Sequence, residues 1–158
     1  GGGHTDGSPC TRLASMDTLG RHLIAEFYGC DHGVLDDPDA IRAMMVAAAE
    51  RVGATVLQVS VHRYAPQGVT ATVIIAESHL SIHTWPEHGY AAADIFTCGG
   101  LQPRPGFVVL RDALAAKQTR VQVIVRGLEC HMPPSQDVLP DDVLVLSSFR
   151  PLDELDGG

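Results

Sequence analysis

The sequence contains no long apolar run, although 45% of its 158 residues are hydrophobic. A membrane-spanning helix needs about 20 consecutive, mainly apolar residues, and no segment approaches that pattern. The Gly-rich, polar beginning of the sequence has no apolar core typical of a secretory signal. We therefore expect a cytoplasmic protein with no membrane partner.

Basic residues are scarce. The sequence has 11 Lys and Arg against 19 Asp and Glu, which gives a formal net charge of −8 at pH 7. Because phosphate backbones are bound by basic surfaces, this balance argues against a nucleic-acid partner. An acidic protein is compatible with a cationic small-molecule substrate.

Cysteines are few and widely spaced, at Cys10, Cys30, Cys98 and Cys130, with no C-x-x-C pair. This spacing fits neither a zinc module nor a dense disulfide framework. We expect reduced thiols, as in most cytosolic proteins, and no structural metal.

The length is that of one domain with a sizeable core. Residues 1–15 are rich in Gly, Ser, Thr and Asp, and we interpret them as a disordered leader or a remnant of an added sequence. Residues 16–127 form the folded domain. Residues 128–158 are acidic and contain prolines, which predicts a loose tail with one further strand at 143–146.

Two amphipathic helices are predicted. The first begins at an Asp37 cap followed by Pro38 and ends before Gly53. The second extends from about Pro105 to Lys117, with Phe107, Leu110 and Leu114 on one face. The apolar positions of the first helix fall at helical spacing: Ile41, Met44, Met45, Ala48, Ala49 and Val52.

Alternating or β-branched segments predict strands separated by short turns. In the second of these strands we place Leu57 on the same face as Val59 and Val61. Strands with two amphipathic helices predict an α+β fold, a sheet covered on one face. The predicted strands are 20–28, 55–64, 69–76, 79–84, 90–97 and 119–126.

Residues 76–98 hold most of the side chains able to do chemistry. The motifs there are Glu-Ser-His at 77–79, His-Thr-Trp-Pro-Glu at 83–87 and Phe-Thr-Cys-Gly at 96–99. These motifs, in this order, resemble the prokaryotic S-adenosylmethionine decarboxylase proenzymes over residues 16–127. Further matching motifs are Gly-Arg-His-Leu-Ile-Ala at 20–25, Tyr-Gly-Cys at 28–30 and Pro-Gln-Gly-Val at 66–69.

The resemblance implies a two-layer α/β sandwich with an antiparallel sheet, and a symmetric homodimer. It also implies self-cleavage between Glu77 and Ser78, with Ser78 converted to a pyruvoyl group that forms a Schiff base with the substrate amine. His83 would be the base in cleavage, assisted by Thr70. Cys98 would donate the proton that replaces carbon dioxide.

The implied substrate is S-adenosylmethionine, and the decarboxylated product is the aminopropyl donor for spermidine. Its flat, cationic nucleoside would stack on Tyr64 and Trp85, while Glu87 would bind the ribose hydroxyls. The family usually has Phe at position 64 and Ser at position 70. The Thr70 methyl group restricts the side-chain rotamer, so we expect cleavage that is either slower or assisted by a neighbouring residue.

Three alternatives remain open from the sequence. A decarboxylase of arginine or ornithine on the same scaffold would bind the distal cation with Asp94 or Glu26. An uncleaved, inactive relative would only bind a partner. A metal site would use His79, His83 and Cys98, of which the two histidines share one face of an extended strand. We assign Cys30 to packing and leave His79 and His88 as surface or supporting residues.

Overall fold

The computed structural model describes residues 18–128. The predicted leader, the predicted tail with its strand at 143–146, Cys10 and Cys130 lie outside the described residues. The elements in chain order are β1 (Thr18–Tyr28), α1 (His32–Leu35), α2 (Pro38–Val52), β2 (Thr55–Arg63), β3 (Val69–Ala76), β4 (Ser78–Trp85), a 3₁₀ turn (Pro86–His88), β5 (Tyr90–Cys98), α3 (Arg104–Ala113) and β6 (Gln118–Leu128).

The strands form one six-stranded sheet in the order β2-β3-β4-β5-β1-β6. Every neighbouring pair is antiparallel. Strands β2 to β5 follow one another through short turns, β1 pairs with β5, and β6 pairs with β1 at the edge of the sheet. The predicted α+β fold with an antiparallel sheet covered by helices is confirmed. The short helix α1 and the 3₁₀ turn at Pro86–His88 were not predicted. The arrangement places β4, which carries the Glu-Ser motif, near the centre of the sheet.

Helix α2 starts where the sequence indicates. The Asp37 carboxylate accepts hydrogen bonds from the backbone N–H groups of Asp39 and Ala40, and the helix ends at Gly53, which has a left-handed φ of 88°. Each fully buried Ile or Met side chain contributes about 1.5–3 kcal/mol through burial. All six predicted core residues of this helix are buried: Ile41, Met44, Met45, Ala48, Ala49 and Val52.

Helix α3 is shorter than predicted, although Phe107, Leu110 and Leu114 are buried as expected. It ends at Ala113. The Lys117 N–H donates instead to the carbonyl oxygen of Tyr28, which directs the chain into β6. No helix among residues 18–128 is long and apolar enough to cross a membrane.

The face assigned to Leu57 is wrong. A β-bulge between Val56 and Gln58 inserts one extra residue into β2. Val56 therefore packs against the core together with Val59 and Val61, whereas Leu57 is 64% exposed. Simple alternation fails here because a bulge shifts the side-chain phase by one residue.

The second face of the sheet carries no helix in the part of the chain that the structure describes; we call it the open face. It presents polar side chains such as His22, His79 and Asp94 along the central strands. Ile24 and Ile74 on this face are 40% and 42% exposed. The chemistry-bearing side chains thus lie on the side of the sheet away from the helices.

Candidate active site

The Glu77–Ser78 bond lies in the tight turn between β3 and β4. Glu77 is exposed and is the only residue between the end of β3 at Ala76 and the start of β4 at Ser78. Ser78 has a φ of 152°, a positive value that residues with a side chain rarely adopt. Such backbone conformations are concentrated at functional sites.

Cys98 lies at the same end of the sheet as Ser78. In the β4–β5 register His79 faces Phe96, so Cys98, two positions further along β5, lies level with the Glu77 turn. Cys98 is a free cysteine and is partly exposed. The structure therefore brings the predicted proton donor beside the predicted cleavage turn.

Thr70 and His83 also lie side by side, as opposite residues of β3 and β4. Thr70 Oγ1 and His83 Nδ1 are 2.9 Å apart, within hydrogen-bond distance. The His83 ring centroid lies 6.4 Å from that of Trp85, two residues further along the strand. The predicted base, its supporting hydroxyl and one substrate-stacking residue thus form a second cluster.

The two clusters are separated within one chain. Ser78 and His83 are five residues apart on the extended strand β4. At the usual rise of a β-strand this corresponds to about 16 Å, too far for proton transfer between them. His79 and His83 are separated by about 13 Å on the same basis, so the suggested metal ligands His79, His83 and Cys98 are not brought together.

The two predicted stacking residues flank a glycine. The Tyr64 N–H donates to the Gly68 carbonyl oxygen at 2.8 Å across the β2–β3 hairpin. Two positions beyond the Thr70–His83 pair, the same register places Trp85 opposite Gly68. Tyr64 and Trp85 are thus two strand spacings apart, or about 10 Å, on the open face. We call this gap the slot; Glu87 is exposed, two residues after Trp85.

Asp36 holds the hairpin that carries Tyr64. Its carboxylate accepts hydrogen bonds from the Gly68 N–H at 2.9 Å and from Arg63 Nη2 at 2.7 Å. These bonds, the Gly68 N–H first, lower the pKa of Asp36 below its ordinary value. Gly68 has a φ of +100°, and a Cβ atom there would lie 3.1 Å from the Thr84 carbonyl oxygen. The backbone of this turn therefore favours glycine at position 68.

The sequence matches a family model described as S-adenosylmethionine decarboxylase over residues 21–127. The chain belongs to the S-adenosylmethionine decarboxylase family. It is 51% identical, over 113 residues, to the S-adenosylmethionine decarboxylase proenzyme of Thermotoga maritima, covering 71% of this chain and 87% of that protein. The proenzyme of Fervidobacterium nodosum is 50% identical over 113 residues, covering 71% of this chain and 82% of that one.

A solved structure of the family is also similar to this fold. The crystal structure of the adenosylmethionine decarboxylase from Aquifex aeolicus superposes with a TM-score of 0.68 at 34% identity, covering 75% of this chain and 98% of that chain. The family resemblance predicted from the motifs is confirmed. The two terminal segments, 1–15 and 128–158, lie outside the family match.

Sequence reasoning missed a polar network in this member of the decarboxylase family. His22 Nε2 and His79 Nε2 lie 2.7 Å and 2.8 Å from the same oxygen, Oδ2 of Asp94, and the Ser81 hydroxyl donates to Oδ1. Burial alone would raise the pKa of Asp94, but the hydrogen bonds from Ser81, His22 and His79 outweigh it and lower the pKa. Strand alternation could have indicated this network, because all four residues fall on the open-face phase of their strands.

The network borders a shallow cavity of about 370 Å³ on the open face. Glu26 and Asp94, the acids considered for an amino-acid substrate, both line it together with His83. Both carboxylates already accept hydrogen bonds from the protein: Asp94 as above, and Glu26 from the hydroxyls of Tyr28 and Tyr90. Neither carboxylate is therefore free to bind the distal cation of an arginine or ornithine substrate without giving up these hydrogen bonds.

Cys30 and His88, which have no predicted catalytic role, lie in different environments. Cys30 is 4% exposed, and burial raises the pKa of its thiol to about 11, so it stays protonated and packs in the core as predicted. His88 lies exposed in the 3₁₀ turn after Trp85.

Proposed function

We propose that this protein is a self-processing, pyruvoyl-dependent decarboxylase of S-adenosylmethionine. Its product, decarboxylated S-adenosylmethionine, is the aminopropyl donor for spermidine synthesis. The observation that carries the proposal is the Glu77–Ser78 turn, where a serine with positive φ lies beside Cys98 in a chain of this family. The proenzyme is the form of the relatives that their names describe.

Cleavage begins with the Ser78 hydroxyl. Its oxygen attacks the Glu77 carbonyl carbon, and the peptide bond becomes an ester with the Ser78 nitrogen as a free amine. Removal of the Ser78 α-proton then breaks the Cβ–O bond and releases Glu77 as a carboxylate. The dehydroalanine left at position 78 takes up water and loses ammonia, which leaves a pyruvoyl group on the nitrogen of His79.

The surroundings of position 78 are suited to a pyruvoyl group. It supplies a ketone that binds the substrate amine and accepts the electron pair left when carbon dioxide departs. The Glu77–Ser78 turn is open to solvent, so a substrate amine can approach it. Cys98, at the same end of the sheet as position 78, would deliver a proton to the substrate α-carbon after decarboxylation.

We infer that His83 acts on Ser78 of a second copy. Within one chain the two residues are about 16 Å apart along β4, whereas cleavage needs a base in contact with the Ser78 α-proton. The open face carries exposed Ile24 and Ile74 around the polar network. Two such faces packed together in a homodimer would bury these side chains and complete each site with Thr70 and His83 of the other protomer.

The slot that would serve a given Ser78 is that of the other protomer, because Trp85 lies seven residues from Ser78 on β4, about 23 Å away within one chain. Tyr64 and Trp85 are 48% and 39% exposed, so both rings are accessible to a flat nucleoside. The sulfonium charge would be attracted to the aromatic faces, by about 0.5–2 kcal/mol. Glu87, exposed two residues after Trp85, would accept hydrogen bonds from both ribose hydroxyls.

The deciding experiment measures carbon dioxide release from carboxyl-labelled S-adenosylmethionine, arginine and ornithine in parallel assays of the purified protein. We expect cleavage at Glu77–Ser78 by mass spectrometry and release from S-adenosylmethionine alone. Ser78→Ala should stay uncut and inactive. A cut Ser78→Ala protein would refute the cleavage chemistry.

Other results would select a different function. Release from arginine or ornithine would keep Ser78, His83 and Cys98 in their roles but replace the substrate assignment. An uncut wild-type protein with no release would indicate the inactive, partner-binding relative; the intact set of these three residues is the reason we do not favour it.

A further inference from the structure

His79 occupies a special position in the proposed chemistry. It follows Ser78 directly, so its backbone nitrogen is the atom to which the carbonyl carbon of position 78 is bonded. Its side chain is held by Asp94 Oδ2 at 2.8 Å from Nε2. The ring also meets Phe96 and His22 edge-on, with centroids 6.0 Å and 6.2 Å away.

We infer that Asp94 is a positioning residue: by binding the His79 side chain it holds position 78 in place once the chain has been cut. The inference rests on the proposed function. His22 and Ser81 fix the Asp94 carboxylate in turn, since His22 Nε2 lies 2.7 Å from Oδ2 and the Ser81 hydroxyl donates to Oδ1.

Cleavage makes the Asp94–His79 hydrogen bond necessary. In the uncut chain, Glu77 joins β4 covalently to β3 and restrains Ser78 from one side. In the cut chain, position 78 is the first residue of a new chain, and chain ends loosen unless side chains or hydrogen bonds hold them. His79 is the first residue after the cut that has a side-chain partner on a neighbouring strand, because Asp94 belongs to β5.

Loose attachment would cost rate, because the reacting atoms must stay in contact. A misplacement of about 1 Å can lower the rate of an enzyme about 10²-fold. Cys98, the proposed proton donor, lies on β5 four residues after Asp94. The Asp94–His79 bond therefore links the strand carrying the proton donor to the chain end where the reaction takes place.

A metal site is the other reading of these side chains, since ligand atoms of His22, His79 and Asp94 lie within 4.8 Å of one another. The tautomer of His22 argues against it. Arg126 Nη1 lies 3.1 Å from His22 Nδ1 and can only donate a hydrogen bond, so Nδ1 accepts and Nε2 carries the proton. That proton points at Asp94, and a metal would have to displace it.

The test compares cut and uncut proteins by hydrogen exchange of the 79–85 segment. Asp94→Ala and Asp94→Asn are made with Ser78 intact and again in the Ser78→Ala background, which stays uncut. We expect Asp94→Ala to raise exchange at the start of this segment about tenfold in the cut protein and little in the uncut one. Asp94→Asn should be intermediate, because its amide oxygen still accepts an N–H.

Two further variants keep the test decisive. His79→Phe retains an aromatic ring but loses the N–H, and should show the same increase in hydrogen exchange as Asp94→Ala. It therefore replaces Asp94→Ala in the test if Asp94→Ala folds poorly. Ile82→Val, on the helix-facing side of the same strand, should lower the melting temperature equally in cut and uncut proteins. Equal exchange in the cut and uncut Asp94 variants would overturn the inference.

Activity gives the second readout. Per cut chain, Asp94→Ala should lose kcat about 10²-fold while KM stays near the wild-type value. An Asp94→Ala protein that remains uncut would place Asp94 in cleavage and not after it, against the inference. A wild-type protein that is never cut would refute the proposed function itself. If the wild type is cut and active and Asp94→Ala has the same kcat, only the positioning role is refuted.

Discussion

The Thr70 hydroxyl oxygen lies 2.9 Å from Nδ1 of His83, across the rung that joins β3 to β4. This contact fixes the orientation of the His83 ring and leaves Nε2 directed away from β3. A histidine ring held in a defined orientation can present Nε2 to a group that packs against the open face. Two residues separated by 13 positions in sequence thus form one hydrogen-bonded pair across the sheet.

Thr70 should therefore affect the cleavage rate. Thr70→Val keeps the shape but removes the hydroxyl, and we expect cleavage to slow about 5- to 30-fold, the effect of losing about 1–2 kcal/mol. Thr70→Ser should cut at least as fast as the wild type, because serine lacks the methyl group that restricts the rotamer. The measurement is the amount of uncut chain against time after synthesis. A Thr70→Val protein that matches the wild type would remove the hydroxyl from the process.

Mixed dimers should test whether His83 acts between copies. His83→Ala and Ser78→Ala should each stay uncut when made alone. When they are co-expressed, mixed dimers bring Ser78 of the His83→Ala chain to His83 of the Ser78→Ala chain. The His83→Ala chain, which keeps Ser78, should then be cut. Differently sized tags identify the cut chain by mass. Failure of every mixture to cut, with both chains shown to associate, contradicts action between protomers.

The slot predicts a selective effect on substrate affinity. Trp85→Ala and Tyr64→Ala should each raise KM about 3- to 30-fold, through loss of stacking and cation–π attraction. Tyr64→Phe should keep KM, since the ring remains. Leu57→Ala, at an exposed position of the same hairpin, serves as the control and should change neither KM nor kcat. Steady-state carbon dioxide release measures all four, and unchanged KM in Trp85→Ala would remove this residue from the slot.

Asp94 should make stability depend on pH. Hydrogen bonds lower its folded pKa below the ordinary value of 3.8, so on acidification the unfolded chain takes up the proton first. The stabilisation by Asp94 is therefore fully present above pH 3.8 and is lost as the pH falls through the lower, folded pKa. Urea unfolding of Ser78→Ala and of Ser78→Ala with Asp94→Asn, at decreasing pH, measures this effect.

The difference in unfolding free energy between these two proteins should shrink below pH 3.8. The Ser78→Ala background keeps both samples as single uncut chains, so that two-state analysis applies. A difference that stays constant from neutral to acidic pH would show that the carboxylate makes no net contribution.

Periodicity in the sequence was enough to predict the helices and most of the sheet. The helix from Pro38 to Val52 has a cap, a terminal glycine and a complete apolar face, so local signals agree with one another. Prediction failed at Leu57, where a bulge reverses the faces of β2, and at the end of α3. Both depend on partners distant in sequence, the strand β3 and the carbonyl oxygen of Tyr28.

Short-range patterns in the sequence were enough to identify the family, the Glu-Ser motif at 77–78 and the residue types available for chemistry. Which of those residues meet depends on the three-dimensional fold. It joined Thr70 to His83 and brought Cys98 to the Ser78 end, but separated Ser78 from His83 by the length of an extended strand. It also gathered His22, His79 and Asp94, which lie on three strands. Strand register sets such distances, and register is fixed by long-range pairing that no local pattern records.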